Sequence, residues 1–466
     1  MELQNKATSL WGDFFKVRMV QIRTFHMTWF AFFSAFFAWF GIAPMMVVIR
    51  EEMNLTKSQV GWTIIASVAA TVFARFFIGW LCDRIGPRLA YTYLLIFGAF
   101  PVAGIGLADN FETFLVFRLL IGIIGASFVI TQYHTSVMFA PNVVGQANAT
   151  SAGWGNLGGG VTQFVMPLMF SAFVIGFGFT DAEAWRASMV VVGTVIFFTG
   201  IAYYFITQDA PDGNYSDLRA KGLLPEKKKV TGAYFNAMKD YRIWLLFIIY
   251  GACFGIELTV NNVAALYFFD YFQVNMVTAG MIAASFGLMN IFARTLGGIF
   301  ADNCASLWGL KGRTYWLFIV LLGEGLALML FSQMNVLFLA IPTLIIFSLF
   351  TQMSEGATYS VVPFIDKKAL GAVSGIVGAG GNAGAVAAGF LFKGAMDWNE
   401  VFFVIGIVVV IASFLTFFIR FTPEQELEEK VEFEKANMDV LQEKADQANA
   451  ALERSLKIIA DSGKSK

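Results

Sequence analysis

Gly153-Trp154-Gly155-Asn156-Leu157-Gly158-Gly159-Gly160 sets five glycines around one asparagine inside a long apolar run. Gly378-Ala379-Gly380-Gly381-Asn382-Ala383-Gly384 sets four glycines around one asparagine in the second half of the chain. Small residues at this density let membrane helices approach closely. Each segment is matched by an arginine in an apolar stretch, Arg75 in the first half and Arg294 in the second. Placing an arginine at the centre of a membrane helix costs about 2.5–3.5 kcal/mol on insertion scales, so both are candidate functional residues.

The matches continue outward. Phe73-Ala74-Arg75 is followed by Gly79 and Asp83, and Phe292-Ala293-Arg294 by Gly298 and Asp302 at identical spacing. Thr131-Gln132 matches Thr351-Gln352. Gly145 with Gly155-Asn156 matches Gly371 with Gly381-Asn382. Ordered matches at a nearly constant offset imply two halves related by an axis along the membrane normal, with a site between them near the midplane.

Composition agrees. Of 466 residues 57% are hydrophobic and only 14% charged, with 51 phenylalanines. A soluble domain is about a quarter charged. Twelve apolar runs of spanning length are read at roughly 25–48, 58–82, 89–108, 112–139, 147–178, 186–206, 243–270, 276–301, 314–333, 335–361, 370–395 and 399–421,. The expected fold is an all-α membrane protein of twelve transmembrane helices in two pseudo-symmetric six-helix bundles, at 25–206 and 242–422. Residues 1–24 read as an uncleaved cytoplasmic leader and 207–241 as a cytoplasmic linker carrying Lys227-Lys228-Lys229. Residues 423–466 form a charged tail with apolar positions at helical spacing, among them Leu427, Val431, Met438 and Leu441. The tail reads as a helix, either solvated or used for self-association or a protein partner. Arg84, Arg88, Lys311, Arg313, Lys367 and Lys368 gather on one side, which places both termini in the cytoplasm,. The membrane is a plasma membrane or a bacterial inner membrane.

The chemistry follows from the arginines. Eight residues separate each from Asp83 or Asp302, about 12 Å of helix, so both sit well inside the membrane at matching depth,. A guanidinium stays charged and offers a planar fork of donors, which suits a planar oxyanion such as nitrate or nitrite. The alternative is that each arginine pairs with a buried carboxylate such as Glu257 or Glu355. Asn156 and Asn382 add neutral donors and acceptors at the same level, or act as interhelical glue. Gly155 and Gly381 flank the same site, although packing alone explains most of the glycines. Glu257, midway along the seventh run, is the first proton-coupling candidate; His134 and Glu355 are the others. No phosphate loop, metal spacing, haem motif or Ser-His-Asp set is present, and only two histidines exist, so neither an enzyme nor a cofactor or metal is expected. The net charge of −1 gives no indication of nucleic acid binding.

Several segments carry a family resemblance. Gly79-Trp80-Leu81-Cys82-Asp83-Arg84-Ile85-Gly86-Pro87-Arg88 resembles the cytoplasmic loop motif of the major facilitator superfamily, and Asp302 with Arg313 resembles its second copy. Arg118 with Gly122 and Gly125 resembles its fourth-helix motif. These resemblances imply gating roles for Asp83, Arg84, Arg88, Asp302, Arg313 and Arg118. Ala152 to Gln163 and Gly378 to Gly384 resemble the fifth- and eleventh-helix signatures of the nitrate/nitrite porter family. Gln132 to Ser136 and Tyr250 to Thr259 resemble its high-affinity nitrate transporter branch. The resemblance covers about residues 25–421. It implies a major facilitator fold and nitrate, with nitrite and protons as further partners. Arg75 and Arg294 would bind the anion, Tyr250 would donate to it, and Phe128 and Phe254 would sandwich it beside Asn156. Proton symport is the expected coupling; nitrate/nitrite exchange is the alternative, and a receptor without net transport is the reading from another class. An organophosphate antiporter fits poorly with so glycine-lined and phenylalanine-rich an interior.

Overall fold

The computed structural model describes residues 5–140, 143–223, 237–366 and 370–428, with 430, 431, 445 and 449. The Lys227–Lys229 run, Lys367 and Lys368, and nearly all of the charged tail lie outside the described residues, as does the side chain of Asp83. Among the described residues twelve long helices dominate. The first six are α1 Val20–Phe40, α2 Lys57–Ile85, α3 Pro87–Gly104, α4 Phe111–Gly122 continuing as Ser127–Met138, α5 Val144–Phe177 and α6 Asp181–Ile206. The second six are α7 Tyr241–Phe272, α8 Met276–Leu288 continuing as Ala293–Trp308, α9 Leu310–Ser332, α10 Leu337–Val361, α11 Leu370–Lys393 and α12 Trp398–Ser413. Eleven are long and apolar enough to cross a membrane. The other, α1, opens with Gln21, Arg23, Thr24, His26 and Thr28, which lowers its hydropathy while its second half is buried.

Local chemistry sets the ends. Capping boxes start α2 at Thr56 with Gln59, α6 at Thr180 with Glu183 and α12 at Asp397 with Glu400,. The duplication shows in the turns. Gly86 (φ +93°) links α2 to α3, and Gly309 (φ +64°) links α8 to α9, a left-handed backbone that favours glycine. Asp209 closes the first of these turns by accepting the Arg88 N–H at 2.8 Å and the Tyr215 N–H at 3.0 Å. Burial pushes its carboxyl up from the ordinary range, opposed by those two donors,.

The halves meet along two symmetry-related seams, α2 against α11 and α5 against α8. Both depend on missing side chains. A Cβ on Gly160 would stand 2.7 Å from the Gly287 backbone, and one on Gly280 2.1 Å from the Gln163 carbonyl oxygen. Backbone atoms cannot swing aside as a side-chain tip can, so these positions hold the halves in register. At the far end, the one opposite residues 5–15, the halves are tied by charge. Arg50 forms a two-pronged pair with Asp270 (2.6 and 2.8 Å). Lys57 donates to the Met396 carbonyl and Lys393 lies 4.1 Å over the Trp62 ring. At the near end, Ala7 bridges to Phe139, and Trp11 and Phe14 pack on Trp154 of the first glycine segment.

Gly280→Ala is expected to lower the thermal midpoint of the detergent-solubilised protein, at a cost of about 1–3 kcal/mol. Gly298→Ala, whose Cβ would meet nothing within 4 Å, is the control and leaves the midpoint within error. Equal midpoints would remove the seam argument.

Candidate anion site

Arg75 and Arg294 reach the seam by different routes. Helix α2 is unbroken, and Arg75 donates from Nη1 to the Gly378 carbonyl of the other half at 2.7 Å. Its carbon Cζ lies 5.5 Å from the Phe128 ring centre and 5.7 Å from that of Phe254, close enough for cation–π attraction. Its Nε and Nη2 are buried with no partner. Helix α8 by contrast breaks into a 3₁₀ turn at Met289–Ile291, with Phe292 at φ −137°. Arg294 follows that break. Broken helices of this kind line transporter sites, where the freed backbone faces a cavity.

Arg294 is already engaged. Its Nη2 donates to the Tyr250 hydroxyl at 2.9 Å, and its Nη1 stands 2.6 Å from Glu355 Oε2. That ion pair is close but poorly aligned: neither atom has a hydrogen bond of good angle. The same guanidinium lies 5.9 Å from the Phe254 ring centre. One phenyl ring therefore serves both arginines, and Tyr250 stacks on that ring at 5.1 Å. The two alternatives weighed from sequence divide between the arginines: Arg294 has a carboxylate partner, while among the described residues Arg75 forms no ion pair.

Gly155 and Gly381 act through rings. A Cβ on Gly155 would lie 1.7 Å from the Phe32 ring, and one on Gly381 2.3 Å from the Phe254 ring. Phe32 in turn leans on Phe128, ring centres 5.8 Å apart. The glycines thus seat the phenyls that flank Arg75. Asn156 and Asn382 occupy equivalent buried positions; neither amide atom of Asn156 has a partner, while Asn382 Nδ2 makes a long contact with the Val68 carbonyl at 3.5 Å. Buried unpaired amides of this kind are rare and call for a ligand or water.

An acidic chain runs behind Arg294. Glu257 Oε1 accepts from Asn290 Nδ2 at 2.6 Å, and the Glu257 and Glu355 carboxyls are near neighbours. Glu324 on α9 lies near the Thr351 and Ser354 hydroxyls. Those hydroxyls donate to their own helix backbone, so both Glu324 oxygens lack an aligned donor. Sequence reading missed Asn290, Glu324 and Tyr359, whose ring meets Tyr250 edge-on at 5.0 Å. The available signal was a polar side chain inside an apolar run.

Other expected residues lie apart from this group. His134 is consumed structurally: its Nε2 donates to the Gln208 carbonyl at 2.8 Å, so its Nδ1 accepts from the Tyr203 hydroxyl at 2.6 Å. Arg88 holds the Tyr204 carbonyl at 3.2 Å and Arg84 lies over Trp80 at 5.1 Å. Arg313 pairs with Asp302 and covers Phe364. Those contacts stay within one half. Arg118 instead crosses the seam to Asn262 of α7 at 2.8 Å.

Fold and site define a duplicated helical carrier with a cationic pair at its centre. Residues 28–365 match the Major Facilitator Superfamily. Over 401 residues the chain is 42% identical to high affinity nitrate transporter 2.5 of Arabidopsis thaliana, covering 86% of this chain and 79% of that one. It is 37% identical over 406 residues to nitrate transporter 2.1 of Chlamydomonas reinhardtii, covering 85% and 74%. With the nitrate/nitrite transporter NrtP of Nostoc punctiforme it shares 30% identity over 469 residues, covering 85% and 92%. The fold is similar to a bacterial homolog of the human lysosomal transporter Spinster, with TM-score 0.67 at 16% identity over 87% of this chain and 99% of that one. The chain belongs to the Major Facilitator Superfamily and, within it, to the nitrate transporter family.

Arg75→Lys keeps the charge and loses the fork. It is expected to weaken nitrate binding by about 10- to 100-fold, the worth of one or two charge-assisted hydrogen bonds, as read by equilibrium binding of labelled nitrate. Near-normal affinity would exclude Arg75 from the site.

Proposed function

We propose that this protein carries nitrate across the membrane by alternating access of its two halves, coupled to proton symport. The observation that carries the reading is Arg75: a buried guanidinium with two unpartnered nitrogens, no ion-pair partner among the described residues, two phenyl rings centred 5.5 and 5.7 Å away and Arg294 sharing one of those rings. A buried cation is costly unless paired, and a small planar anion supplies both the charge and the paired acceptors. The relatives named as nitrate transporters support that anion.

The coupling follows from competition. An anion that takes the Arg294 fork displaces Glu355 from Nη1. A carboxylate released in the membrane interior is costly unless it is neutralised. Glu257, its neighbour, is held by Asn290 and offers the next position for a proton. Nitrate and a proton therefore bind together, and neither is carried comfortably alone. The Arg50–Asp270 pair closes the far end in this form. With the positively charged loops on the cytoplasmic side, that end faces outward and both termini lie in the cytoplasm.

The test is labelled-nitrate uptake into proteoliposomes with an inward proton gradient and no internal anion. Accumulation that collapses with a protonophore is expected. Uptake only after loading with nitrite would mean exchange instead, and binding without flux under either condition would mean a receptor. Glu257→Gln is expected to retain nitrate binding and to lose the pH dependence of uptake. An unchanged pH profile would move the proton role elsewhere.

A further inference from the structure

Arg118 is buried on α4 and has few partners. Its Nη2 donates to Asn262 Oδ1 at 2.8 Å, its Nη1 makes a 3.5 Å contact with the Trp39 carbonyl, and its Nε has none. Among the described residues no ion pair includes it. Among the described residues it shares with Arg75 the condition of a buried guanidinium without an acidic partner. Asn262 is oriented for the task, because its Nδ2 is spent on the Leu258 carbonyl at 2.8 Å and its oxygen faces the cation. The Ser67 hydroxyl also reaches that oxygen, at 3.3 Å.

Position gives the cluster meaning. Arg118, Ser67 and Trp39 belong to the first half, and Asn262 to the second. Ser67 lies eight residues from Arg75 along α2, and Asn262 twelve from Tyr250 along α7. At 1.5 Å per residue the cluster is about 12–18 Å nearer the far end than the arginine pair. The space beyond it is a cavity of about 300 Å³ between the halves, lined by Arg50, Lys57, Ile64, Leu266 and Asp270 among others. Opening the far end must separate Arg118 from Asn262. The guanidinium then loses its one well-aligned acceptor while facing the route inward.

We propose that Arg118 is a second oxyanion site, which a nitrate-sized anion occupies between the far-end mouth and the Arg75–Arg294 pair once the halves part at Asn262. Asn262 Oδ1 stands in for the anion oxygen in the closed form. The site is transient by construction, since closure returns Asn262 and expels the anion toward the centre. A single guanidinium edge with neutral neighbours binds weakly enough to release it. Cations lining the route of an anion raise the rate of arrival.

The inference rests on the nitrate reading, which is tested first: wild-type protein that neither binds nor moves labelled nitrate fails that reading, not this one. With active wild type, Arg118→Gln is expected to lower Vmax/KM for uptake by about tenfold and to flatten its ionic-strength dependence. The equilibrium Kd for nitrate stays within about a factor of two of wild type, because the central pair is intact. Arg118→Lys restores most of the rate, since a transient site needs charge rather than a fork. Asn262→Asp is the second variant. It gives Arg118 a fixed carboxylate across the seam, and flux is expected to fall about tenfold or more with Kd unchanged. Wild-type Vmax/KM in Arg118→Gln would overturn the proposal. So would a Kd that weakens in step with its flux, or full transport by Asn262→Asp.

Discussion

A guanidinium buried without a carboxylate is the constraint on which this structure turns. Arg75 cannot be deprotonated at working pH, and burial strips it of water. The protein supplies one carbonyl, from Gly378, and two aromatic faces. These partners hold the side chain in place without neutralising it. Arg294 is neutralised by Glu355, but through a contact poorly aligned for hydrogen bonding. Arg75 is therefore the member of the pair held without a carboxylate, and it sits where the two halves meet. An anion that binds there closes the charge balance and bridges the halves in one step.

The glycine segments make that placement possible. Five glycines in one short stretch would weaken a helix in water, since each costs about 1 kcal/mol relative to alanine. In a membrane bundle the same residues let backbones touch, as Gly380 does at the Phe247 carbonyl and Gly158 at that of Phe33. Close approach leaves no room for bulky side chains beside the arginines and fixes the Phe32 and Phe254 rings. Tight packing thus limits the space beside the arginines.

Much of this was legible in the sequence. The spans, the duplication, Arg75, Arg294 and the glycine–asparagine segments are all read from hydropathy and spacing, because lipid demands apolar runs and a repeated fold repeats its rare residues. The choice of partners was not legible. Nothing in spacing says that Glu355 takes Arg294 while Arg75 goes without a carboxylate, since that depends on side-chain reach across α8 and α10. The break before Arg294 is also hidden: its repeat partner α2 is continuous, so the duplication argues against it. His134 reads from sequence as a proton candidate or as a structural histidine, and its two bonds to Tyr203 and Gln208 are not legible there. Asn290, Glu324 and Tyr359 were overlooked because a lone polar residue in an apolar run has no periodic signal.

The central claim is that the anion lies between the two arginines. A cryo-electron microscopy map at saturating nitrate, set against one without it, tests that most directly. The account predicts added density between the Phe128 and Phe254 rings, about 3 Å from Arg75 Nη2 and from the Arg294 fork, with Glu355 moved off Arg294. Identical maps at this position, with Arg294 still closed on Glu355, would contradict it.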